Sequence, residues 1–326
     1  MDSKGTRPGL GLRKKFRKSY SLPQIFAEAR SKQRESLDPP AMPPQLETSD
    51  PSAVCGYVKG VFGELFPGAN PTLIERVFSD VGGFFAGRHP DYAALDLRYH
   101  DFEHTLQATV CLVELLAGRH GAGEEPGATA RQFGLAVASA LLHDTGYLKL
   151  RNDTGGTGAK YTFCHVLRSC AFAASYLPTL GANPGEIEAV ITAINCTGPG
   201  NELGRLRIRE PVDLVHGRAL ATADYLGQLA APGYPDKLRY LFAEFDESDA
   251  FCNVPERERS FASPLDLLEQ TPRFWEQFVL RRLEDDFKGV CRFLASPYPH
   301  GPNRYLIAAE KNIAEIRQRL GALPAG

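Results

Sequence analysis

From about Pro51 onward the apolar residues recur at helical spacing, and the strict alternation that marks a half-buried strand is scarce. Ile187, Val190, Ile191 and Ile194 follow the i, i+3, i+4, i+7 rule of one buried helical face. Just ahead of them, Asn183, Pro184 and Glu186 supply an N-cap, a first-turn proline and a capping-box partner. Ser263-Pro264 and Thr271-Pro272 repeat that start signal. Phe102, Leu106, Val110 and Val113 mark a further helix. The run Phe133 to Leu142 is apolar on all sides, as in a central buried helix, and is about half the roughly 20 residues a membrane helix needs. The expected class is therefore all-α, with one domain over residues 51–321, additional helices after Pro235 and a short tail at 322–326.

Charge divides the chain. Residues 1–34 hold ten Lys and Arg against Asp2 and Glu28, about +8, so a net charge of −2 leaves the remainder near −10. An acidic body argues against nucleic acid lying across the main fold. Residues 1–50 read as a solvated arm, basic at first and Pro-rich over Asp38 to Pro44; Arg13, Lys14, Lys15, Arg17 and Lys18 form its basic stretch, which suits an acidic surface. The N-terminus has no apolar core followed by a small-residue cleavage site, and the seven cysteines show no C-x-x-C pair. Reduced thiols in a cytoplasmic protein are expected. No transmembrane segment is expected.

The histidines and aspartates carry the chemistry. Tyr99-His100-Asp101-Phe102-Glu103-His104 sets two His at i and i+4, one helical turn apart. Leu141-Leu142-His143-Asp144-Thr145-Gly146 ends the most apolar helix on a polar pair, which is costly there unless compensated. The segment Leu214 to Ala230 is a largely apolar helix that carries Asp224 within Ala221-Thr222-Ala223-Asp224-Tyr225-Leu226. A divalent cation compensates such groups, since imidazole nitrogen and carboxylate oxygen are good ligands for Zn, Mn or Fe. Any one of these residues alone would read as an ordinary core histidine or an ion-paired aspartate.

The ordered set of His, His-Asp and a late Asp resembles the HD superfamily of metal-dependent phosphohydrolases. Tyr99 to Thr105 is similar to the Y-H-N-x-x-H-A signature of cyclic-nucleotide phosphodiesterases, and His143 to Leu148 resembles the H-D-x-G stretch of bacterial HD proteins. The resemblance covers about residues 95–230. It implies an HD/PDEase-like helical bundle, with His104, His143, Asp144 and Asp224 binding a first metal. His165 would bind a second, and Asp144 would bridge the two as a catalytic residue. His100 would protonate the leaving oxygen. Implied cofactors are one or two divalent ions among Mn, Fe, Mg and Zn. The implied substrate is a small phosphoester, either a phosphodiester such as a cyclic nucleotide or a nucleotide phosphomonoester.

The loop with Gly155, Gly156 and Gly158 offers backbone N–H groups, and Lys160 and Arg168 offer positive charge for a phosphate. His216, two turns before Asp224, is expected to be structural or to back the metal ligands, and Cys164 to be a core thiol, with metal ligation kept open by its neighbour His165. Two positions depart from the phosphodiesterase signature: Asp101 stands where Asn is usual and Thr105 where Ala is usual. Phe274-Trp275-Glu276-Gln277-Phe278 holds the residue types that clamp a nucleobase in those enzymes, and reads better as an amphipathic core helix. Two other classes stay open, an HD-fold di-iron oxygenase and a non-catalytic HD-type regulatory protein.

Overall fold

The computed structural model describes residues 46–198, 200 and 203–322. The basic arm up to residue 45 and the tail from residue 323 lie outside the described residues. Ten α-helices order the rest: α1 Pro51–Leu65, α2 Thr72–Phe85, α3 Phe102–Gly121, α4 Ala130–Leu142, α5 His165–Tyr176, α6 Pro184–Thr197, α7 Pro211–Leu229, α8 Tyr234–Phe251, α9 Pro264–Phe274 and α10 Arg304–Gly321. The described residues contain no strand, and two isolated antiparallel bridges, Tyr92 with Leu150 and Ala295 with Asn303, are their extended pairings. The fold is all-α. None of the helices is long and apolar enough to cross a membrane.

Local signals account for most helix starts. The Asn183 side chain accepts from Glu186 N at 3.0 Å while the Glu186 carboxylate accepts from Asn183 N at 2.9 Å. Ser263 caps α9 through Asp266 N at 3.1 Å. Thr129 and Gln132 close the same reciprocal box at the start of α4. Thr271-Pro272 does not start a helix: Pro272 lies inside α9, and the chain continues into a wider π-type turn over Trp275–Val279. A proline there removes a backbone donor, and the Thr271 hydroxyl bonds the carbonyl of Leu267 at 2.7 Å instead of capping a new helix.

The core sits where α4 runs through the middle. Every residue from Phe133 to Leu142 is buried. Around it α3 packs along α7, α6 along α7, and α2 against α4. Gly227 makes the α3–α7 approach close. A Cβ there would meet Ala108 N at 3.0 Å and Gln107 C at 3.1 Å. Asp224 lies one turn before Gly227, so this contact carries it toward the first turn of α3.

Candidate metal centre

Three elements deliver the polar cluster. His104 lies in the first turn of α3, held there because the Asp101 carboxylate caps the helix by accepting from His104 N at 2.8 Å. His143 and Asp144 follow the last residue of α4, and Asp144 leads into a short 3-10 turn over Thr145–Tyr147. Gly146 lets that turn lie flat against the start of α5. A Cβ there would stand 2.0 Å from the His165 carbonyl oxygen, and Gly146 N donates to Ser169 Oγ at 2.8 Å. Asp224 comes from the middle of α7.

These side chains converge. His104 Nε2 is 3.3 Å from Asp144 Oδ2 and 3.3 Å from Asp224 Oδ1. His143 Nε2 is 3.3 Å from Asp144 Oδ2 and 3.5 Å from Asp224 Oδ1. His104, His143 and Asp144 are 1–3% exposed, and one ligand atom from each lies within 4.8 Å of the others. This group can hold a metal ion.

The hydrogen bonds behind the cluster sharpen that statement. His143 Nδ1 is 2.6 Å from the Ala140 carbonyl and His165 Nδ1 is 2.7 Å from the Thr162 carbonyl. A carbonyl only accepts, so each Nδ1 carries the proton and each neutral ring turns its Nε2 lone pair to the site. The carboxylates opposite are acceptors too, and His143 Nε2 and Asp144 Oδ2 are buried without a hydrogen-bond partner. Acceptors that face acceptors in a dry interior need a cation between them. Without one, protons take its place. Burial pulls His104 down, but its bonds to Asp144 and Asp224 outweigh that and raise it to about 10. His143 is also raised, its burial outweighed by Asp144 and Asp224. Burial pushes both aspartates up, and the neighbouring histidines hold them below the usual carboxylate range.

A second, more open shelf adjoins the cluster. Asp144 Oδ1 faces His165 Nε2 at 3.8 Å, and burial lowers the His165 ring. His100 and His104 rings lie 5.6 Å apart, but not as an i, i+4 pair on one helix. Asp101 is the N-cap, so α3 begins at Phe102 and His100 precedes it. His100 is placed by other contacts. Its Nδ1 is 2.6 Å from Glu244 Oε2, and its ring stacks on Tyr147 at 4.7 Å. Tyr147 also stacks on His165 at 4.6 Å, and the His100 and His165 rings lie 6.2 Å apart. Glu244 is buried on α8, and its other oxygen accepts from Tyr99 N at 2.8 Å and Arg98 N at 3.2 Å.

No protein-family model and no curated protein matches this chain.

The structure gives the remaining sequence candidates other partners. The buried Lys160 ammonium pairs with Asp153 and donates to the Gly155 carbonyl. The Arg168 guanidinium donates to the carbonyls of Gly146 at 2.6 Å and Leu148 at 2.8 Å, and lies over the Tyr161 ring at 3.6 Å. Both cations brace the segment behind Asp144. Two N–H groups of the glycine-rich loop are likewise occupied: Thr157 N donates to Glu247 and Gly158 N to Asp96 at 2.8 Å. His216 is buried with its Nε2 unpartnered, and burial with the Arg119 charge lowers it to about 4. Cys164 is exposed rather than a core thiol, because it sits at the turn into α5. All seven cysteines are free.

Sequence reasoning missed Glu244, Tyr147 and Gln228. Gln228 Oε1 accepts from Tyr99 OH at 2.6 Å while its amide lies 3.4 Å from Asp224 Oδ1, so it steadies that carboxylate. Its position one turn after Asp224 was a usable signal. Glu244 had none, being one of five carboxylates on α8.

Proposed function

We propose that this chain is a metal-dependent phosphohydrolase of the HD type, acting on a phosphodiester such as a cyclic nucleotide or on a nucleotide phosphomonoester. The observation that carries the reading is the convergence of His104, His143, Asp144 and Asp224, with two buried acceptors, His143 Nε2 and Asp144 Oδ2, facing each other without a hydrogen-bond partner. These four residues would hold one ion. His165, on the Oδ1 side of Asp144, would hold a second, with Asp144 shared. Three imidazoles among five donors favour Zn, Fe or Mn over Mg. Divalent ions there would neutralise phosphoryl charge and bring the pKa of water toward about 7.

The chain's own residues supply the rest. Asp144 and Asp224 keep the site anionic. Gln228 orients Asp224, and the Ala140 and Thr162 carbonyls fix the tautomers of His143 and His165. His100 is the proton donor to the leaving oxygen. Glu244 engages its Nδ1, and Tyr147 supports the ring face, so Nε2 is the end available to the substrate. Asp101, where the phosphodiesterase signature has Asn, keeps the same work, since both residue types cap helices well.

The test is a screen of phosphomonoesters and phosphodiesters on full-length protein reconstituted separately with Mn, Fe, Zn and Mg. Turnover with a transition metal, lost on chelation, is expected. Oxygen uptake by the iron form without phosphoester turnover would replace this reading with an oxygenase. Metal uptake without any turnover would leave a regulatory protein.

A further inference from the structure

A groove of about 760 Å³ lies between α1, α2 and the segment that leads into α3. Its apolar surface includes the rings of Phe78, Phe85 and Phe102, with Phe85 and Phe102 tilted against each other at 5.0 Å, and Leu97. Its size falls in the range of small-molecule sites, roughly 300–1,000 Å³. The charges on its wall are uneven. Lys59 is paired with Glu75, and Asp101 faces Lys237 at 3.6 Å. Arg88 is exposed, lines the groove and has no side-chain partner among the described residues, which leaves one uncompensated positive charge at the wall.

We propose that this groove binds an amphiphilic anion, an apolar body with one carboxylate or phosphate head, and that its occupancy is felt at the metal centre. The head group pairs with Arg88 and the body lies on the phenylalanine rings. Two contacts join groove and centre. Asp101 lines the groove and also holds His104 through its backbone N–H at 2.8 Å. Leu97 lines it and packs with Tyr147, whose ring stacks on those of His100 and His165. The groove is thus the back of the segment whose front carries the site. A ligand there favours one arrangement of that segment, and by reciprocity its affinity depends on metal.

Decanoate, decyl phosphate and 1-decanol, each below its micelle concentration, are titrated into full-length protein by calorimetry. One equivalent of an anion is expected to bind. The stronger of decanoate and decyl phosphate identifies the head group, and the alcohol should bind about tenfold more weakly or worse, the worth of one charge-assisted hydrogen bond. Arg88→Glu should weaken the anion by a similar factor. Gly56→Phe should abolish binding, because Gly56 lines the groove and a side chain there has no atom within 4 Å of its Cβ. Metal loss to a chelator should change rate with the anion present and stay constant in Gly56→Phe. No saturable binding, equal affinity for anion and alcohol, or binding untouched by both variants overturns the site. Anion binding that leaves metal loss unchanged overturns the coupling. These isotherms do not depend on whether the chain hydrolyses phosphoesters.

Discussion

Helix α3 carries two polar centres less than three turns apart, and they are built on opposite principles. At Glu114 every oxygen meets a donor. Oε1 accepts from Tyr57 OH at 3.0 Å and from the Arg304 guanidinium, and Oε2 accepts from Tyr305 OH at 3.0 Å. At His104 the surrounding atoms are Asp144 and Asp224 oxygens and the unpartnered Nε2 of His143. The first arrangement is complete and ties α1 and α10 to α3. The second leaves buried lone pairs facing one another, which a cation could satisfy. Burial of a charged group is therefore a poor sign of function by itself; what its lone pairs face is the better one.

The comparison breaks first at Asp144. Asp144→Asn should lower phosphoester turnover by about 10³-fold or more, since the several kcal/mol of charge stabilisation expected from a bound metal goes with it. Steady-state rates on the best substrate of the screen check this, and a variant within tenfold of wild type would mean that the cluster is not where the chemistry occurs.

Next comes the shelf beside the cluster. His100→Ala should keep its metal and lose about 10²–10⁴ in rate on an ester with an alkoxide leaving group. A p-nitrophenolate needs little protonation, so the loss there should be much smaller. Loss of metal would make His100 a ligand, and an equal loss on both substrates would make it a phosphate-positioning group. Glu244→Gln should reproduce the His100→Ala pattern in weaker form, because the amide oxygen can still accept from the backbone N–H groups of Arg98 and Tyr99 while the NH2 group that replaces Oε2 no longer accepts from Nδ1.

The pH dependence of metal binding sharpens the contrast. In the metal-free protein the His104 pKa is raised to about 10 by Asp144 and Asp224 against the opposing effect of burial. Its proton therefore stabilises the metal-free fold below pH 6.5, the ordinary histidine value, and that contribution fades as pH rises through about 10. An ion must displace the proton, so apparent affinity should rise about tenfold per pH unit per proton released, up to that pKa. Titrations in weakly buffered indicator solution should record acid release near neutrality. Affinity that is flat with pH would show that His104 is not a ligand.

The smallest effect is expected at the complete centre. Glu114→Gln should cost about 1 kcal/mol of stability, the cost of leaving half-buried donors without one of their acceptors. It should leave metal content and rate unchanged. Thermal melts with elemental analysis check both halves, and loss of metal would erase the distinction between the two ends of α3.

The fold class was legible because each helix advertises itself through apolar spacing and through caps such as Asn183 with Glu186. It failed locally at Thr271-Pro272, where a start signal was embedded in a helix already under way. The cluster residues could be named because they sit at the end or on one face of apolar helices, where a polar pair has few structural excuses. His100 was named for its spacing, but Asp101 starts the helix after it, so tertiary contacts and not the i, i+4 rule bring it to the site. Lys160 and Arg168 illustrate the opposite failure: cations beside a glycine loop look available in sequence, and here Asp153 and backbone carbonyls occupy them. Glu244 could not be singled out, because its partners, the backbone N–H groups of Arg98 and Tyr99 and the His100 ring, lie more than 140 positions away.

The central claim is that a divalent metal completes the acceptor cluster. Elemental analysis of the full-length protein after reconstitution and desalting tests it most directly, with Asp144→Asn and Glu114→Gln run alongside. One or two ions per chain in wild type and Glu114→Gln, and loss of most of them in Asp144→Asn, is the predicted result. A wild type that retains no metal, or an Asp144→Asn variant that retains as much as wild type, would contradict it.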